Sequence, residues 1–224
     1  MKVSIIIPTK NEESTIAKVI KEAKKYAWEI LVVDGHSTDR TREIAKKAGA
    51  RVILDEGGGK GKAIRKAVRE AKGEVLLFMD ADGSHEPRDI PSLLKPIEEG
   101  EADQVTASRI LGGSDELSGS LEKSLRLLGT LLINFLISER FGVRITDSQN
   151  GFRAIKKEVI EKLNLQEDIT TIEQEMVIKV LQGGYRIREV PSHEYARKSG
   201  KSKISLWRDS WRYVFSLLRY LYFP

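Results

Sequence analysis

A short, wholly apolar run that ends in two acids constrains the fold of this chain more than any other stretch. Val75 to Met79 contains no polar side chain and is followed at once by Asp80, Ala81 and Asp82. A run this short and apolar is typical of a strand that is buried on both faces of a parallel sheet. In open α/β sheets, ligands bind at the carboxyl ends of the strands. The two carboxylates are therefore predicted to lie at a ligand-binding edge.

Asp80 and Asp82 are the predicted ligands of a divalent metal. Their spacing across a bend allows both carboxylates to approach one ion. Mg²⁺ and Mn²⁺ prefer hard oxygen ligands, and Mg²⁺ is commonly held by one or two carboxylates together with substrate phosphates. The alternative interpretation is that these acids and Gly83 simply form a polar turn after the strand.

The first part of the chain repeats a pattern of strand, polar loop and helix. The pattern predicts strands at 3–8, 29–33 and 51–54, with helices at 14–26 and 39–48 between them. Strands that alternate with helices predict an α/β fold, here a Rossmann-like and mostly parallel sheet flanked by helices. Because each strand ends in a polar or acidic loop, we expect ligand-binding groups to gather along one edge of the sheet.

The glycine-rich segment 57–62 looks like a phosphate-binding P-loop but does not meet the definition of one. A P-loop requires Gly, four residues and then Gly-Lys followed by Ser or Thr. Here Lys62 is followed by Ala63, and Glu56 occupies the position of the first glycine. One interpretation is a glycine loop that delivers Lys60 or Lys62 to a phosphate. The other is a solvated loop with basic ends.

Two predicted helices are strongly amphipathic. In the helix at 121–138, leucines share one face, and Arg126, Thr130 and Asn134 form a polar stripe at a spacing of four residues. The helix at 204–223 combines aromatic side chains with arginines, which is typical of an interfacial membrane anchor. The alternatives are a core helix for the first and a helix docked on the sheet or in a dimer for the second. We expect both to be membrane-interface helices.

Charge is unevenly distributed along the chain. The net charge is +5, yet residues 197–224 carry seven Lys and Arg against a single acid, so the remainder is close to neutral. A basic tail on a neutral body argues against a nucleic-acid groove, in which the charge would be spread more widely. The tail fits an anionic membrane surface or a phosphate-bearing substrate. We therefore predict a catalytic domain at 1–203 and a membrane-associating helix at 204–224.

The composition excludes several classes of protein. A chain of 224 residues with 40% hydrophobic and 32% charged residues is globular and long enough for one α/β domain. Because there is no cysteine, disulfides, zinc–thiolate sites and a thiol nucleophile are excluded, and three histidines make a His-rich metal site an unfavoured interpretation. No segment reaches the roughly 18 uninterrupted apolar residues of a membrane span, and we expect no signal peptide.

Several short motifs follow one another in a fixed order along the chain, and this ordered set indicates a protein family more specifically than any single motif does. They are Pro8-Thr9-Lys10-Asn11-Glu12, the stretch from Val32 to Asp39, Asp80-Ala81-Asp82, Arg109, Asp147 with Gly151-Phe152-Arg153, and Arg197 with Gly200-Lys201-Ser202-Lys203. Over nearly the whole chain this set resembles the family 2 glycosyltransferases of the glycosyltransferase A fold, and among them the dolichol-phosphate mannose synthases. Lys10 stands where that family often has Tyr, and Ser84 where the mannose synthases often have Gln.

The resemblance implies a role for each matching position. The residues implied to bind the donor nucleoside are Pro8, Thr9, Glu12, Asp34 and Asp39, with Lys60 near the same pocket. The residues implied to hold Mg²⁺ or Mn²⁺ on the donor diphosphate are Asp80 and Asp82. The residues implied to bind the lipid phosphate are Arg109, Arg126, Thr130 and Arg197, with Ser202 and Lys203 in a loop that closes over the site. The candidate catalytic residues are Asp80, Asp82, Asp147 and Arg197.

Together these features predict an inverting, metal-dependent transfer of a sugar from a nucleotide-diphosphate sugar to a polyprenyl or dolichyl phosphate. Mannose from GDP-mannose is the first donor considered, and UDP-glucose is the alternative. The second pKa of the acceptor phosphate is about 6, so the acceptor is mostly dianionic near neutral pH and needs no strong base. The expected partners are the donor, the lipid phosphate and a membrane surface, at the cytoplasmic face of the membrane.

Two other functions stay open at this stage. A family 2 transferase that acts on a glycan or small-molecule hydroxyl would need a general base, for which Asp147, Glu173 and Glu175 are candidates. A nucleotide- or lipid-binding module without chemistry would keep metal-dependent nucleotide binding after replacement of Asp80 or Asp82.

Overall fold

A seven-stranded sheet forms the centre of the molecule in the computed structural model, which describes residues 1–117, 119–197 and 206–223, the stretch 206–209 by its backbone alone. The strands are β1 (Val3–Thr9), β2 (Glu29–Asp34), β3 (Arg51–Leu54), β4 (Val75–Phe78), β5 (Gln104–Ser108), β6 (Arg153–Lys156) and β7 (Ile187–Pro191). Their order across the sheet is β3-β2-β1-β4-β6-β5-β7. Strand β6 runs antiparallel to both β4 and β5, whereas the other pairs are parallel. All strands of this sheet except β6 therefore end at the same edge.

Helices cover both faces of the sheet. They are α1 (Ile16–Ala23), α2 (Thr41–Lys47), α3 (Lys60–Glu70), α4 (Ile90–Glu98), α5 (Arg109–Gly112), α6 (Leu121–Phe141), α7 (Lys157–Ile160), α8 (Ile172–Gln182) and α9 (Leu206–Tyr222), with 3₁₀ turns at Lys24–Tyr26 and Pro87–Asp89. Helices α1, α2 and α4 pack in the core on one face, and α3, α7 and α8 pack in the core on the other. The predicted α/β architecture is confirmed.

Strand β4 is buried in the way that its sequence predicts. Each residue from Val75 to Phe78 is at most 2% exposed, and the strand lies between β1 and β6. Because successive side chains of a strand point to opposite faces, Val75 and Leu77 enter one core and Leu76 and Phe78 enter the other. The chain leaves the sheet just before Asp80, which places the two predicted metal ligands at the carboxyl edge.

Helix α6 buries polar side chains and exposes apolar ones, the reverse of an ordinary surface helix. Its buried residues are Thr130, Ile133, Asn134 and Ile137. Its exposed side chains, which we call the apolar ridge, are Leu121, Leu125, Leu128, Leu131, Leu132 and Phe135. The helix therefore packs on the protein through a narrow stripe and presents a wide apolar surface. The helix is therefore not the core helix that was considered as the alternative, and its place in a membrane interface stays a prediction.

Hydrogen bonds explain why the polar stripe of α6 faces inward. The Asn134 amide donates to the backbone carbonyl of Thr146, and its carbonyl oxygen accepts from the backbone N–H and the hydroxyl of Ser148 at 3.0 and 2.7 Å. The Thr130 hydroxyl donates to Gln149 Oε1 at 2.8 Å. The stripe thus fixes α6 to the loop at 146–150 and does not present these two side chains to solvent.

Helix α9 packs through one face and leaves the other exposed. Leu217, Tyr220 and Leu221 are buried against apolar residues of α6 and α8. The exposed apolar side chains of this helix are Trp211, Val214, Phe215, Leu218 and Tyr222. The side chains of Trp207 and Arg208, which the sequence places on the same helix, lie outside the described residues. Among the residues that are described, none of the helices has the length and apolar character needed to cross a membrane.

Asn134 provides a test of this arrangement. We expect Asn134→Ala to lower the free energy of unfolding by about 2–4 kcal/mol. The half-buried carbonyl of Thr146 and the buried N–H and hydroxyl of Ser148 lose their partner, and each such loss in a buried site costs about 1–3 kcal/mol. Leu132→Ala, on the exposed ridge two positions away, is the control and should change the value by less than about 0.5 kcal/mol. Urea unfolding measures both variants, and equal losses would contradict the inward role of Asn134.

Candidate active site

The loops after β1 and β2 bring the predicted nucleoside-binding residues to one end of the sheet. These residues are Pro8, Thr9, Glu12, Asp34 and Asp39. The backbone N–H of Glu12 donates to the Thr41 hydroxyl at 2.8 Å, and the N–H of Gly35 donates to the Thr9 carbonyl at 2.8 Å. The two loops are therefore held together as one wall of the site.

Asp34 and Asp39 use their carboxylates to shape this wall. Asp34 is fully buried and accepts from the backbone N–H and the hydroxyl of Ser37 at 2.8 and 2.6 Å. Asp39 accepts from the N–H and hydroxyl of Thr41 at 3.0 and 2.5 Å and from the N–H of Glu13 at 3.2 Å. Burial acts against ionisation of Asp39, but these hydrogen bonds lower its pKa overall. Both acids thus order the loops, and their contact with a nucleoside stays a prediction.

Lys60, Asp80 and Glu173 form a cluster of charges at the centre of the edge. The Lys60 Nζ atom lies 2.6 Å from Asp80 Oδ1 and 2.8 Å from Glu173 Oε1. Burial would lower the pKa of Lys60, but the charges of the two acids outweigh it and raise that pKa. Burial would likewise raise the pKa of Asp80, but the charge and hydrogen bond of Lys60 lower it below its ordinary value. Lys60 is therefore a cation and Asp80 an anion in this structure.

Glycines allow Lys60 to enter this cluster. Helix α3 begins at Lys60, and a Cβ on Gly59 or Gly61 would overlap the backbone of residues 167–168. A Cβ on Gly151 would lie 2.7 Å from the Lys60 Nζ atom. The glycine-rich segment is therefore a site of close backbone packing, which neither interpretation of the sequence foresaw, and its lysine points at carboxylates.

Glu175 holds the segment against which these glycines pack. Its carboxylate accepts from the backbone N–H groups of Gln166 and Glu167 at 2.7 and 2.8 Å, and Lys179 Nζ lies 2.7 Å away. The side chain is fully buried. Its oxygens are thus engaged in fixing a loop, and Glu175 is not placed to act as the general base considered for a hydroxyl acceptor.

Asp82, the second predicted metal ligand, is held from two sides. Its Oδ1 atom accepts from the backbone N–H and the hydroxyl of Ser84 at 3.1 and 2.7 Å. Its Oδ2 atom lies 3.3 Å from Arg197 NH1. Ser84 therefore supports the acid directly, and Arg197, which the sequence predicted at the acceptor phosphate, is brought to a predicted metal ligand.

His85 is a residue of this site that the sequence analysis missed. It is buried, its Nδ1 atom accepts the backbone N–H of Asp80 at 3.1 Å, and its ring stacks on Phe152 with the centroids 4.8 Å apart. These contacts fix the turn that presents both acids. The only signal in the sequence was its position within the polar turn after β4.

Asp80 and Asp82 fit a divalent cation that is shared with a bound ligand. Their carboxylate oxygens are of the hard type that Mg²⁺ and Mn²⁺ prefer. Within the described ranges, no three or more His, Cys, Asp or Glu residues are grouped so that they could hold a metal ion by themselves. An ion held by these two acids would take its other ligands from water and from the oxygens of a bound phosphate, as Mg²⁺ commonly does.

Arg109 and Asp147 form a bidentate ion pair. Arg109 Nε donates to Asp147 Oδ2 at 2.7 Å, and NH2 donates to Oδ1 at 2.9 Å, while NH1 lies 3.6 Å from Glu194 Oε1. Burial would raise the pKa of Asp147, but the charge and hydrogen bonds of Arg109 lower it. The arginine fork that the sequence predicted at a phosphate therefore holds a carboxylate, and Asp147 has no free oxygen edge with which to act as a base.

Two of the predicted phosphate ligands, Arg126 and Thr130, lie on α6 and differ in their hydrogen-bond partners. Arg126 NH2 is 3.6 Å from Glu122 Oε1, and its buried Nε atom has no hydrogen-bond partner within the described residues. Thr130 already donates its only hydroxyl proton to Gln149, so as placed it has none for a phosphate. Arg126 thus fits the predicted role better than Thr130. Ser202 and Lys203 lie outside the described residues.

Arg153 joins the charged cluster to the loop at 146–150. It is buried, and it donates to the backbone carbonyls of Glu173 at 2.7 Å, Ser148 at 3.0 Å and Asn150 at 3.0 Å. Burial lowers its pKa to about 10. Because one guanidinium binds both the start of α8 and this loop, the Lys60 cluster and the Arg109–Asp147 pair are parts of one connected framework.

The buried ion pair between Arg109 and Asp147 predicts how the stability of the protein depends on pH. We expect Asp147→Asn to lower the free energy of unfolding by about 3–5 kcal/mol near neutral pH, because the variant removes the bidentate partner of a buried arginine and leaves only the more distant Glu194 as counter-charge. The folded pKa of Asp147 lies below its unfolded value of about 3.9, so the stability it contributes is present above that pH and is lost as the pH falls. Urea unfolding at a series of pH values should show a gap between wild type and variant that shrinks below about pH 4. A gap that stays constant into acid would contradict the ionised pair.

Comparison with known proteins adds to this geometry. The model of the family described as "Glycosyl transferase family 2" matches residues 4–163. The chain is 36% identical over 200 residues to "Glycosyltransferase AglJ" of Haloferax volcanii, covering 88% of this chain and 64% of that protein. It is 32% identical over 232 residues to "Dolichol-phosphate mannosyltransferase" of Pyrococcus furiosus, covering 99% of this chain and 63% of that protein. The chain thus spans less than two thirds of the length of these two relatives.

A solved structure shares the fold. The glucosyl-3-phosphoglycerate synthase from Mycobacterium tuberculosis, in complex with Mn²⁺, UDP and glucosyl-3-phosphoglycerate, is similar with a TM-score of 0.79 at 24% identity. The alignment covers 100% of this chain and 81% of that one. The likeness confirms the fold that the order of motifs predicted.

Proposed function

Because the chain belongs to glycosyl transferase family 2, we propose that it transfers a hexose from a nucleotide-diphosphate sugar to a polyprenyl phosphate. The observation that carries the choice of acceptor is the apolar ridge of α6. Asn134 fixes this helix to the loop that bears Asp147, and Asp147 in turn holds Arg109. A lipid acceptor requires such an apolar approach beside the groups that receive its phosphate.

The names of similar proteins support the same choice of substrate. The relative from Pyrococcus furiosus is named for dolichol phosphate and for mannose. Mannose from GDP-mannose is therefore the first donor in the proposal, and glucose from UDP-glucose is the second, since the solved structure of the same fold was obtained with UDP and Mn²⁺. Either donor would place its diphosphate near Asp80 and Asp82.

The exposed apolar faces of α6 and α9 are proposed to lie in a membrane interface. Large exposed apolar patches on a protein mark interaction surfaces, and amphipathic helices rich in aromatics and Arg bind at the headgroup level. The Arg212 guanidinium lies over the Trp211 ring, 5.5 Å from its centroid, on the exposed part of α9. Because a basic C-terminal segment is attracted to the anionic cytoplasmic leaflet, we place the protein peripherally on that face.

The proposed reaction needs few catalytic groups. A phosphate monoester with a second pKa of about 6 is mostly dianionic near neutral pH, so its oxygen attacks the anomeric carbon without a base. A bond forms between that oxygen and the carbon, the bond from the carbon to the donor diphosphate breaks, and the configuration inverts. Arg126 and Arg197 position the acceptor. A divalent cation bound by Asp80 and Asp82 would neutralise the charge that develops on the leaving diphosphate.

The acids in the site favour this acceptor over a hydroxyl. A hydroxyl must give up its proton to a base as it attacks. The three candidate bases all have other partners: Asp147 binds Arg109, Glu173 binds Lys60, and Glu175 binds backbone N–H groups. A phosphate acceptor does not require any of them to be released, so it is the function we propose.

Transfer of labelled sugar tests this proposal. We expect GDP-mannose with Mn²⁺ and a short polyprenyl phosphate to give a lipid-extractable product, and Asp82→Ala to reduce its rate at least about a hundredfold, a loss typical of removing one stabilising group from a transition state. Glu98→Ala removes an exposed acid from α4 and is the control that should keep full activity.

Different results of this experiment test the choice of donor and the choice of acceptor. Product from UDP-glucose alone would keep the acceptor and change the donor. Donor hydrolysis that depends on Mn²⁺ without any lipid product would contradict the lipid acceptor and would favour a glycan or small-molecule hydroxyl.

The membrane proposal predicts a second result. We expect the double variant Leu128→Glu/Leu132→Glu to bind vesicles that contain anionic lipid at least about tenfold more weakly than wild type, because charge is costly where acyl chains are contacted. Both side chains are exposed, so the fold should be retained. Co-sedimentation with vesicles measures the binding, and a circular dichroism melt provides the control for folding. Unchanged vesicle binding would show that the ridge serves another purpose.

A further inference from the structure

Lys60 lies between two acids, of which only one is a proposed metal ligand. Its ammonium is 2.6 Å from Asp80 Oδ1 and 2.8 Å from Glu173 Oε1. A divalent cation at Asp80 would share this carboxylate with the ammonium of Lys60, and two cations at this range repel each other strongly. Binding of the cation would therefore weaken the contact of Lys60 with Asp80.

A buried lysine that loses its partner is costly unless another partner keeps it charged and hydrogen-bonded. Glu173 can be that partner. It is 2% exposed, and its second carboxylate oxygen has no hydrogen-bond partner among the described residues. Glu173 therefore has spare capacity to accept from Lys60 when Asp80 is withdrawn.

The backbone at Glu173 is fixed independently of its side chain. Its carbonyl accepts from Arg153 NH1 at 2.7 Å, in the first turn of α8. A Cβ on Gly151 would lie 2.7 Å from the Lys60 ammonium, so the absence of a side chain at residue 151 is what lets the ammonium occupy this position. Lys60 thus reaches a partner whose backbone is held in place.

We propose that Glu173 is a positioning residue, which retains Lys60 when the metal ion takes Asp80 and aims the freed N–H groups of that lysine at the donor diphosphate. An ammonium has three donors, so one bond to Glu173 leaves others for phosphate oxygens. The inference rests on the proposed function, because it requires a metal ion and a nucleotide-diphosphate donor. It assigns a role to an acid for which sequence reasoning offered only that of a general base.

The proposal predicts coupling between Glu173 and Lys60 in metal binding. Without the charge of Glu173, Lys60 has only Asp80 left, and the metal ion must displace it into an unpaired state. We expect Glu173→Gln to weaken Mn²⁺ binding in the presence of GDP or UDP by roughly tenfold, equivalent to about 1.4 kcal/mol. In a chain that also carries Lys60→Met, the same Glu173→Gln substitution should change the Mn²⁺ affinity by less than about twofold, which corresponds to well under 1.4 kcal/mol.

Electron paramagnetic resonance of free Mn²⁺, titrated with the full chain and saturating nucleoside diphosphate, measures these affinities without relying on turnover. Glu173→Asp keeps the charge and should recover most of the affinity. Glu158→Gln, an exposed acid on α7, is the control that should leave Mn²⁺ binding unchanged. A thermal melt of each variant confirms that it is folded.

The outcomes distinguish this inference from the proposed function. An equal loss from Glu173→Gln in the two Lys60 backgrounds, or no loss in either, would overturn the positioning role while leaving the transferase proposal intact. A wild-type chain that binds no Mn²⁺ with GDP or with UDP would instead contradict the metal-dependent donor chemistry itself.

Discussion

The ion pair between Arg109 and Asp147 is the interaction on which the proposed acceptor side of the molecule depends. Asp147 lies in a loop that is also bound by Asn134 of α6 and by Glu189 of β7, whose carboxylate accepts the N–H of Asp147 at 2.8 Å. Burial makes each of these contacts expensive to lose. The pair therefore connects the strand end at β5 with the helix that carries the apolar ridge, so an exposed apolar surface and a charged site are built as one unit.

The donor side follows a related principle, in which basic side chains of the protein neutralise the acids that a ligand would use. Lys60 lies on Asp80, and Arg197 lies on Asp82. The carboxylates are thus paired before any metal ion arrives, which avoids the cost of buried and uncompensated charge. In the proposed mechanism, a metal ion that binds these acids would take the place of Lys60 and Arg197. The displaced cations would then lie close to the phosphate oxygens of the donor.

Much of this could be predicted from the sequence, and the reasons for the failures are physical. The wholly apolar stretch Val75–Phe78 has few alternatives to a buried strand, so its acids had to emerge at the sheet edge. The partner of Arg109 could not be inferred, because Asp147 is 38 positions away and is brought to it by the antiparallel strand β6. That strand has only four residues and includes the buried Arg153, so its sequence shows no apolar run. The α6 pattern predicted amphipathicity correctly but could not show which face packs, since that depends on partners in a distant loop.

The central claim is that the acceptor nucleophile is a lipid phosphate, received beside an exposed apolar surface. The most direct test compares two acceptors of equal chain length, a polyprenyl phosphate and the corresponding polyprenol, in the same vesicles with the same labelled donor and Mn²⁺. We expect labelled lipid from the phosphate alone, because an alcohol needs a base and the acids considered as bases are each bound to another group: Asp147 to Arg109, Glu173 to Lys60, and Glu175 to backbone N–H groups. Equal or faster transfer to the polyprenol would contradict it, and would require Asp147, Glu173 or another acid to be released as a general base.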